Sequence, residues 1–379
     1  MGKVTRRSVL AGVVAAAVGT LVWSRTRKPP LGMDIPESFL ERGAALLRES
    51  PAVDVHGHPG RSFLAGADPD SPIVRLMPDG FEDERITGMI EAGVTASVFA
   101  IVADLAILGI TDGGLQVVRE FEPGEAYADY RRQLARLETV IGRGRIAPAL
   151  TPDDIRSAHS EGRPVAILAS EGADFAEGDT GRIAEAHAAG LRCVTLVHYN
   201  TNRLGDTQTS APVHGGLTAF GQQVVREMNR LGMIVDVAHA SFATARGAIA
   251  ESRAPVLLSH TDLDTGPVKS PRFVSLAHAR AVTEAGGVIG AWPAGIGSKS
   301  LADFVEQVMA LVNAVGAEHV AIGSDMDGNY KPVLTEYADF PLLAAALLYR
   351  GLSERDAARV LGTNFLRLFD EVAGAASAV

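Results

Sequence analysis

Seven side chains that could bind metal ions follow short apolar segments of this 379-residue chain. They are His56, His58, Glu171, His198, His239, His260 and Asp325. The only cysteine, Cys193, lies inside an apolar segment, so an internal disulfide and a thiolate metal site are both excluded. No Gly-x-Ser-x-Gly elbow predicts a covalent serine mechanism. The chemistry indicated is therefore metal-assisted, with imidazoles and carboxylates as the ligands.

The pair His56 and His58 is the first part of the predicted metal site. Side chains two residues apart in a strand point to the same side, so both imidazoles can bind one cation. Glu171, His239 and His260 raise the number of nitrogen and oxygen donors to five. Such a set suits two zinc-like ions that share a bridging carboxylate better than it suits one structural ion.

Glu171 is the predicted bridge between the two ions. Some barrel hydrolases use a carbamylated lysine in this role, but no lysine occurs between Lys28 and Lys269, which leaves the middle of the chain without one. Two zinc ions bridged by Glu171 would lower the pKa of a bridging water and supply hydroxide near neutral pH. The residue types therefore predict metal-assisted hydrolysis.

The segments that must position these side chains recur along the whole chain after Pro30. Short runs rich in β-branched residues alternate with helical patterns, which is typical of a parallel sheet with crossover helices. The eight predicted strands span residues 52–55, 95–101, 165–169, 192–197, 233–237, 254–258, 287–291 and 319–322. We therefore predict an α/β fold, a (β/α)8 TIM barrel, with the metal site at the C-terminal ends of its strands, where they converge on one mouth.

One part of the chain exceeds what the barrel needs. Residues 102–164 are longer than one crossover and contain a charged helical pattern over 124–140 and a further strand over 145–150. We interpret this excess as a decoration of the barrel. Trp292 ends the seventh predicted strand, and we interpret it as a core aromatic, with a substrate contact left open.

The remaining histidines are not assigned to the site. His159, His187 and His278 lie in helical patterns and His319 begins a strand, so we interpret these four as surface or capping residues. His214 follows the fourth strand and is interpreted as a loop residue.

Charge separates the first 33 residues from the rest of the chain. The 35 basic and 45 acidic residues give a formal net charge of −10, which argues against a nucleic-acid partner. Six of the basic residues and no acidic residue lie in residues 1–33, so the remaining chain is strongly acidic. We expect residues 34–379 to form the metal-dependent hydrolase barrel.

The N-terminal segment has the pattern of an export signal. The pair Arg6 and Arg7 stands directly before an apolar run over residues 9–23, which resembles a twin-arginine signal. No convincing small-x-small cleavage site follows, so retention as a membrane anchor is the alternative. We expect a location in the periplasm, free or anchored in the membrane and facing it.

Nine stretches of the chain resemble the membrane (renal) dipeptidase family of metallopeptidases, within the amidohydrolase-type hydrolases. They span residues 53–56, 170–172, 196–200, 216–221, 226–233, 236–239, 259–260, 322–328 and 362–365. The resemblance implies that His56 binds the first metal, that Glu171 bridges, and that His239 and His260 bind the second. It thus agrees with the metal site expected from the residue types.

The resemblance also implies roles that the barrel pattern alone does not assign. His198 would face the reacting carbonyl and stabilise the oxyanion. Asp325 would relay a proton from the bridging water to the leaving amine. Arg272 would bind the free carboxylate of the substrate through its planar fork, with a surface-loop arginine as the alternative.

Two residues depart from the family pattern. His58 stands where the family most often has Asp, which exchanges a negative oxygen ligand for a neutral nitrogen at the first metal. Phe273 stands where Asn usually follows the arginine, so the carboxylate pocket is expected to have a different shape. Both changes bear on metal preference and on substrate.

The expected function is that of a zinc-dependent dipeptidase. The expected partner is a small dipeptide-like substrate, with no nucleic acid, and a homodimer is left open. The alternatives are a barrel hydrolase that acts on another amide, a lactone or a β-lactam, and an exported metal-binding protein without catalytic activity.

Overall fold

A closed barrel of eight parallel strands lies at the centre of the computed structural model, which describes residues 28–112 and 114–377. The strands, in chain order, are β1 (Ala52–Asp54), β2 (Val94–Val102), β3 (Leu108–Thr111), β4 (Gly114–Val117), β5 (Ala147–Pro148), β6 (Val165–Glu171), β7 (Cys193–Thr195), β8 (Ile234–Asp236), β9 (Leu257–Thr261), β10 (Val288–Ala291) and β11 (Val320–Ile322). The ring runs β1, β2, β6, β7, β8, β9, β10, β11, and β11 pairs with β1 to close it. The predicted (β/α)8 TIM barrel is confirmed.

Helices connect the strands along the described chain. They are α1 (Glu37–Glu49), α2 (Pro72–Leu76), α3 (Glu82–Ala92), α4 (Glu125–Gly142), α5 (Pro152–Ser160), α6 (Gly181–Ala188), α7 (Ala219–Leu231), α8 (Phe242–Glu251), α9 (Leu276–Glu284), α10 (Leu301–Val315), α11 (Phe340–Tyr349), α12 (Glu354–Ala358) and α13 (Asn364–Ser377). Short 3₁₀ segments and one π segment complete the connections, at Pro59–Leu64, Leu105–Ile107, Asp174–Ala176, Ala317–His319, Tyr337–Asp339 and Arg359–Thr363.

Local sequence signals explain how these elements begin, end and pack. The Thr218 hydroxyl accepts a hydrogen bond from the Gly221 amide and caps α7, and Gly232 ends that helix at a φ of 71°. Val224 and Met228 lie on its buried face. Strands β2 and β6 are buried along their whole length, as expected for parallel strands covered on both sides.

Glycine at two positions beneath the mouth lets neighbouring barrel strands pack closely. A Cβ atom on Gly290 would lie 1.7 Å from the Ser259 carbonyl oxygen, and one on Gly323 would lie 1.9 Å from the same atom. Any side chain at either position would therefore displace the strand that carries His260. Glycine at these positions lets the strands approach closely enough to position that histidine.

The observed strands differ from the predicted ones mainly at their ends. Strand β6 continues to Glu171, and β9 begins at Leu257, later than predicted, so that it includes His260. The strand predicted over 145–150 is only β5, which pairs with β6 outside the ring, and the charged pattern over 124–140 forms α4. The antiparallel hairpin of β3 and β4 was not predicted.

The arginine pair and the apolar run over 9–23 lie outside the described residues. Among the residues that the structure does describe, no helix combines the length and the apolar character needed to cross a membrane.

Candidate metal centre

The barrel mouth brings together the five side chains predicted to bind metal. One group consists of His56, His58 and Glu171, and the other of Glu171, His239 and His260. Within each group the potential ligand atoms lie within 4.8 Å of one another, and all five side chains are buried. Glu171 belongs to both groups, which is the arrangement required of a bridging carboxylate.

The two carboxylate oxygens of Glu171 each face imidazoles. Its Oε1 lies 2.9 Å from Nε2 of His239, 3.3 Å from Nε2 of His56 and 3.5 Å from Nε2 of His260. Its Oε2 lies 3.2 Å from Nε2 of His58. The Nε2 atom of His56 is buried without a hydrogen-bond partner. This convergence of nitrogen and oxygen donors fits divalent cations such as zinc.

Hydrogen bonds on the far side of the rings orient two of these imidazoles. Nδ1 of His58 lies 2.9 Å from the Ala100 carbonyl oxygen, and Nδ1 of His260 lies 3.0 Å from the Ser259 hydroxyl. The Ser259 hydroxyl in turn donates to the Asp236 carboxylate at 2.7 Å. Each ring therefore carries its proton on Nδ1 and presents the Nε2 lone pair to the centre, as metal-ligating histidines do.

The backbone is strained at two of the seven predicted positions. His239 has a φ of 62° and Asp325 a φ of 52°, in the left-handed region that such residues rarely adopt. Backbone bonds hold both conformations, because the Gln208 amide donates to the His239 carbonyl at 2.8 Å and the Asp325 amide donates to the His56 carbonyl at 2.9 Å. Strain of this kind persists at sites where side-chain direction matters.

Burial and neighbouring charges favour the metal-binding protonation states of His239, His260 and Glu171, but not that of His56. Burial lowers the pKa of His239 and of His260 well below the usual value, so both rings are neutral near pH 7. Burial opposes ionisation of Glu171, but the neighbouring His198 and His56 hold the pKa of its carboxyl well below the usual range. Burial also works against protonation of His56, yet Glu171 raises the pKa of this ring to about 9. Metal binding at His56 would therefore release a proton.

His198 lies at the same mouth and has a carboxylate partner that the sequence reasoning missed. Its Nε2 lies 3.3 Å from Glu171 Oε2, and its Nδ1 lies 2.7 Å from Asp104 Oδ1. Asp104 is fully buried and also accepts the backbone amides of Tyr199 and Asn200. Burial disfavours the charged ring, but Asp104 and Glu171 raise the pKa of His198. In the sequence, the only indication that Asp104 could lie at the barrel mouth was its position just after the second predicted strand.

Asp325 is held beside the first group of ligands. Its Oδ1 lies 3.6 Å from Nε2 of His58, and its Oδ2 accepts a hydrogen bond from the Trp292 indole at 3.1 Å. Burial raises the pKa of this carboxyl, while His58 and His56 oppose the rise. Trp292 is therefore more than a core aromatic, because its indole fixes the direction of Asp325.

Arg272 is not a surface-loop arginine, contrary to that alternative. Its side chain is only 5% exposed, and its guanidinium carbon lies 5.3 Å from the centre of the Trp292 ring. Its Nη2 lies 3.5 Å from the His260 carbonyl oxygen, while its Nη1 is buried without a partner. Burial lowers the pKa of this guanidinium. An unpaired buried guanidinium donor needs an acceptor, and a substrate carboxylate would supply one.

A half-buried ion pair and a backbone hydrogen bond, both made by Asp327, lie between the loops that carry His58 and Asp325. Arg85 donates to both oxygens of Asp327, at 2.8 and 2.6 Å, and the Gly60 amide donates to Asp327 Oδ2 at 2.8 Å. This pair was not anticipated, although Asp327 belongs to the stretch over 322–328. It ties the chain after β1 to the chain after β11.

The histidines that were not assigned to the site lie away from the ligand groups. His159 and His187 lie in α5 and α6, His319 bonds the Gly287 carbonyl oxygen, and His214 lies in an exposed loop. The interpretation of His278 as a surface or capping residue is wrong, because its side chain is only 4% exposed. Its place in a helical pattern alone gave no sign of that burial.

Comparison with known proteins places this chain in a family. The sequence model described as "Membrane dipeptidase (Peptidase family M19)" matches residues 40–379. Two curated relatives are a dipeptidase, verJ, of Clonostachys rogersoniana and a dipeptidase, aclJ, of Aspergillus oryzae, each 34% identical. The alignments cover 64% and 56% of this chain and 64% and 53% of those relatives, so the chain spans less than two thirds of their length.

Solved structures share the fold. The probable dipeptidase PvdM from Pseudomonas aeruginosa is 21% identical with a TM-score of 0.73, over 90% of this chain and all of that one. A metallopeptidase from Rhodobacter sphaeroides, liganded with a phosphinate mimic of the dipeptide L-Ala-D-Ala, is 22% identical with a TM-score of 0.71. That alignment covers 85% of this chain and 99% of the other.

Proposed function

Because this chain belongs to the membrane dipeptidase family, peptidase family M19, we propose that it hydrolyses the amide bond of dipeptides with the help of two zinc ions. The observation that carries the proposal is that Glu171 is shared by two groups of buried histidines. When bound, two such ions would lower the pKa of a water molecule and make hydroxide available near neutral pH.

His198 would stabilise the charge that develops on the substrate carbonyl oxygen. Asp104 accepts the Nδ1 proton of this ring, so Nε2 is directed at the mouth and donates when it is protonated. A donor aimed in advance at a developing oxyanion contributes more to the transition state than to substrate binding.

Asp325 would carry a proton from the attacking water to the leaving amine. The Trp292 indole holds one of its oxygens, and the other faces His58. Since burial raises the pKa of Asp325, its carboxyl accepts a proton more readily than an exposed aspartate does. Proton transfer in both directions needs such an intermediate basicity.

Arg272 would orient the substrate by its C-terminal carboxylate. Its buried, unpartnered Nη1 supports this role, and the planar guanidinium can bind both carboxylate oxygens. This contact would place the scissile amide over the ligand groups and would favour short substrates with a free carboxylate.

A dipeptide panel with zinc-loaded protein tests the proposed activity. The parent protein should release free amino acids, and Glu171→Ala or His239→Ala should lower kcat by at least roughly 1,000-fold. His187→Ala, in α6 away from the mouth, is the matched control and should keep parent activity. Hydrolysis that survives both site substitutions would refute the mechanism.

A second candidate is hydrolysis of another amide or of a lactone, which the residues His58 and Phe273 favour because both change the surroundings of the metal and of the carboxylate pocket. Rates on lactones measured beside the dipeptide panel separate the two candidates. A lactone rate above every dipeptide rate would favour the second one.

We also propose export by the twin-arginine route, supported by the pair Arg6 and Arg7 ahead of the apolar run. Residues 1–33 fused to a reporter should export it, and Arg6→Lys combined with Arg7→Lys should stop export. Export that persists in a host without the twin-arginine machinery would contradict this route.

A further inference from the structure

One sector of the mouth rim carries every lysine of the residues that the structure describes. Lys269, Lys299 and Lys331 lie in the loops that follow β9, β10 and β11, which are neighbours in the ring. Lys28 lies in the segment before α1. We call these four residues and their exposed neighbours the lysine sector. In a strongly acidic chain, this grouping makes one part of the rim locally cationic.

The segment before α1 reaches the barrel at the lysine sector. The amides of the first two residues of α10 donate to the carbonyl oxygens of Pro30 and Leu31, at 3.2 and 2.9 Å. Lys28 forms ion pairs with Glu336 and Asp339, just before α11. Because α10 and α11 each follow a barrel strand, their first residues lie on the mouth side. The chain therefore enters the described fold at the mouth side of the barrel.

Exposed apolar side chains accompany the lysines. Val268 directly precedes Lys269 and is 41% exposed, and Tyr330 directly precedes Lys331 and is 55% exposed. Leu31, in the segment that bonds to α10, is 44% exposed. Surfaces that bind the headgroup region of a bilayer combine residues of these two kinds, because apolar side chains enter the interface while lysines attract anionic lipids.

Two of the lysines are available to an anionic partner. Lys269 pairs with Asp264 at 2.7 Å, and Lys28 has the two partners given above. Within the described ranges, no ion pair involves Lys299 or Lys331, and both side chains are exposed. The ammonium group of Lys331 lies 5.1 Å from the centre of the Tyr330 ring. Lys299 and Lys331 can therefore bind phosphate oxygens without breaking an existing ion pair.

The sequence before the lysine sector favours a lipid surface as that partner. An apolar run spans residues 9–23, and only residues 24–27 separate it from Lys28. An extended chain spans at most about 3.6 Å per residue, so this link reaches no further than about 20 Å. Retention of the run in a membrane would thus keep the lysine sector close to the lipid headgroups.

We propose that the lysine sector docks on the anionic surface of a lipid bilayer and holds that side of the barrel mouth towards the membrane. Val268 and Tyr330 would enter the headgroup region, and Lys299 and Lys331 would bind lipid phosphates. The loops that follow the other five strands of the ring stay on the side away from the lipid, so a small substrate reaches the mouth from water. The inference does not depend on dipeptide hydrolysis.

Two single fluorescent labels on the full-length protein in vesicles test this orientation. Thr265→Cys places a label at an exposed position of the loop after β9, and Ser160→Cys places one at the exposed end of α5, on the opposite side of the barrel. The native Cys193 is buried and does not compete for the label. With nitroxide-labelled headgroups in vesicles that contain phosphatidylglycerol, quenching at position 265 should exceed quenching at position 160 at least roughly threefold. Vesicles of phosphatidylcholine alone should bring this ratio close to one.

Charge reversal tests the two available lysines. Lys299→Glu combined with Lys331→Glu should bring the quenching ratio to below about 1.5, because both changes repel an anionic surface. Arg48→Glu combined with Arg253→Glu is the matched control. These two arginines are exposed at the end of α1 and after α8, on the side away from the mouth, so the ratio should stay at the parent value. Both double variants should keep the parent Tm and zinc content.

Equal quenching at positions 265 and 160 in anionic vesicles would overturn the inference. A difference that survives Lys299→Glu with Lys331→Glu would overturn it as well, because the apolar run alone would then account for the orientation. A dimer in vesicle-free solution that the same double variant dissociates, found by sedimentation, would assign the lysine sector to a second copy instead. Each of these results would leave the proposed dipeptide hydrolysis standing.

Discussion

Replacing Asp104 by asparagine tests how His198 is held at the mouth. Asp104 accepts the Nδ1 proton of His198 at 2.7 Å and the backbone amides of Tyr199 and Asn200 at 3.0 and 2.9 Å. Asparagine has nearly the same shape, so both loop amides keep an acceptor. The charge that favours a protonated ring is removed, and the ring can adopt the other tautomer.

The structure sets the size of the expected effect. A buried hydrogen bond to a charged group contributes about 1.5–3 kcal/mol. That energy is expressed mainly in the transition state, because His198 is expected to donate most strongly to an oxygen that is becoming anionic. At about 1.4 kcal/mol per factor of ten, kcat should fall roughly 10- to 150-fold in Asp104→Asn, with KM changed far less.

The assay is steady-state hydrolysis of one good dipeptide by zinc-loaded variants, with metal content measured on the same samples. Asp174→Asn is the matched control, because Asp174 is buried nearby and bonds Asn200 and Asn202 rather than His198. It should keep kcat within about threefold. An Asp104→Asn protein with full metal content and a kcat within twofold of the parent would refute the role given to Asp104.

Three further predictions concern substrate binding, metal preference and stability. Arg272→Met keeps the apolar stem but removes the guanidinium, so KM for dipeptides should rise roughly 10- to 150-fold with a small change in kcat. An unchanged KM would show that Arg272 does not bind the substrate carboxylate. His58→Asp restores a negative oxygen ligand and should tighten Mn²⁺ binding at least roughly tenfold in calorimetric titration of metal-free protein, whereas unchanged affinity would show that His58 is not a ligand. Burial and the neighbouring Asp104 raise the pKa of Asp174 to about 7. Between about pH 4 and pH 7 the folded protein therefore binds more protons than the unfolded chain. The free energy of unfolding falls as the pH rises through that window. Asp174→Asn should therefore raise Tm at pH 8 more than at pH 4, and an equal change at both values in thermal unfolding would contradict this.

The sequence was sufficient to predict the barrel and its mouth for one physical reason. Parallel strands buried on both faces appear as apolar runs, and a polar residue at the end of such a run is visible against them. Glu171, His239 and Asp325 were found in this way. A shift of a strand end by a few residues, as at β9, does not move His260 away from the mouth.

The partners of these residues could not be predicted, because loop conformation determines them. Nothing in the sequence connects Asp104 to His198, which lies 94 positions later, and Trp292 was interpreted as a core residue because its apolar body fits that role equally well. The burial of His278 depends on Phe242, on another helix. Contacts of this kind depend on how distant loops pack, which periodicity does not report.

The proposed mechanism requires that the Glu171 carboxylate join two metal sites that together hydrolyse a dipeptide. Elemental analysis across a zinc titration, with dipeptide turnover measured on the same samples, tests it most directly. We expect two bound equivalents in the parent protein, turnover that rises with the second equivalent, and fewer than two equivalents in Glu171→Ala. Full turnover by metal-free protein, or by protein that never binds more than one equivalent, would contradict it.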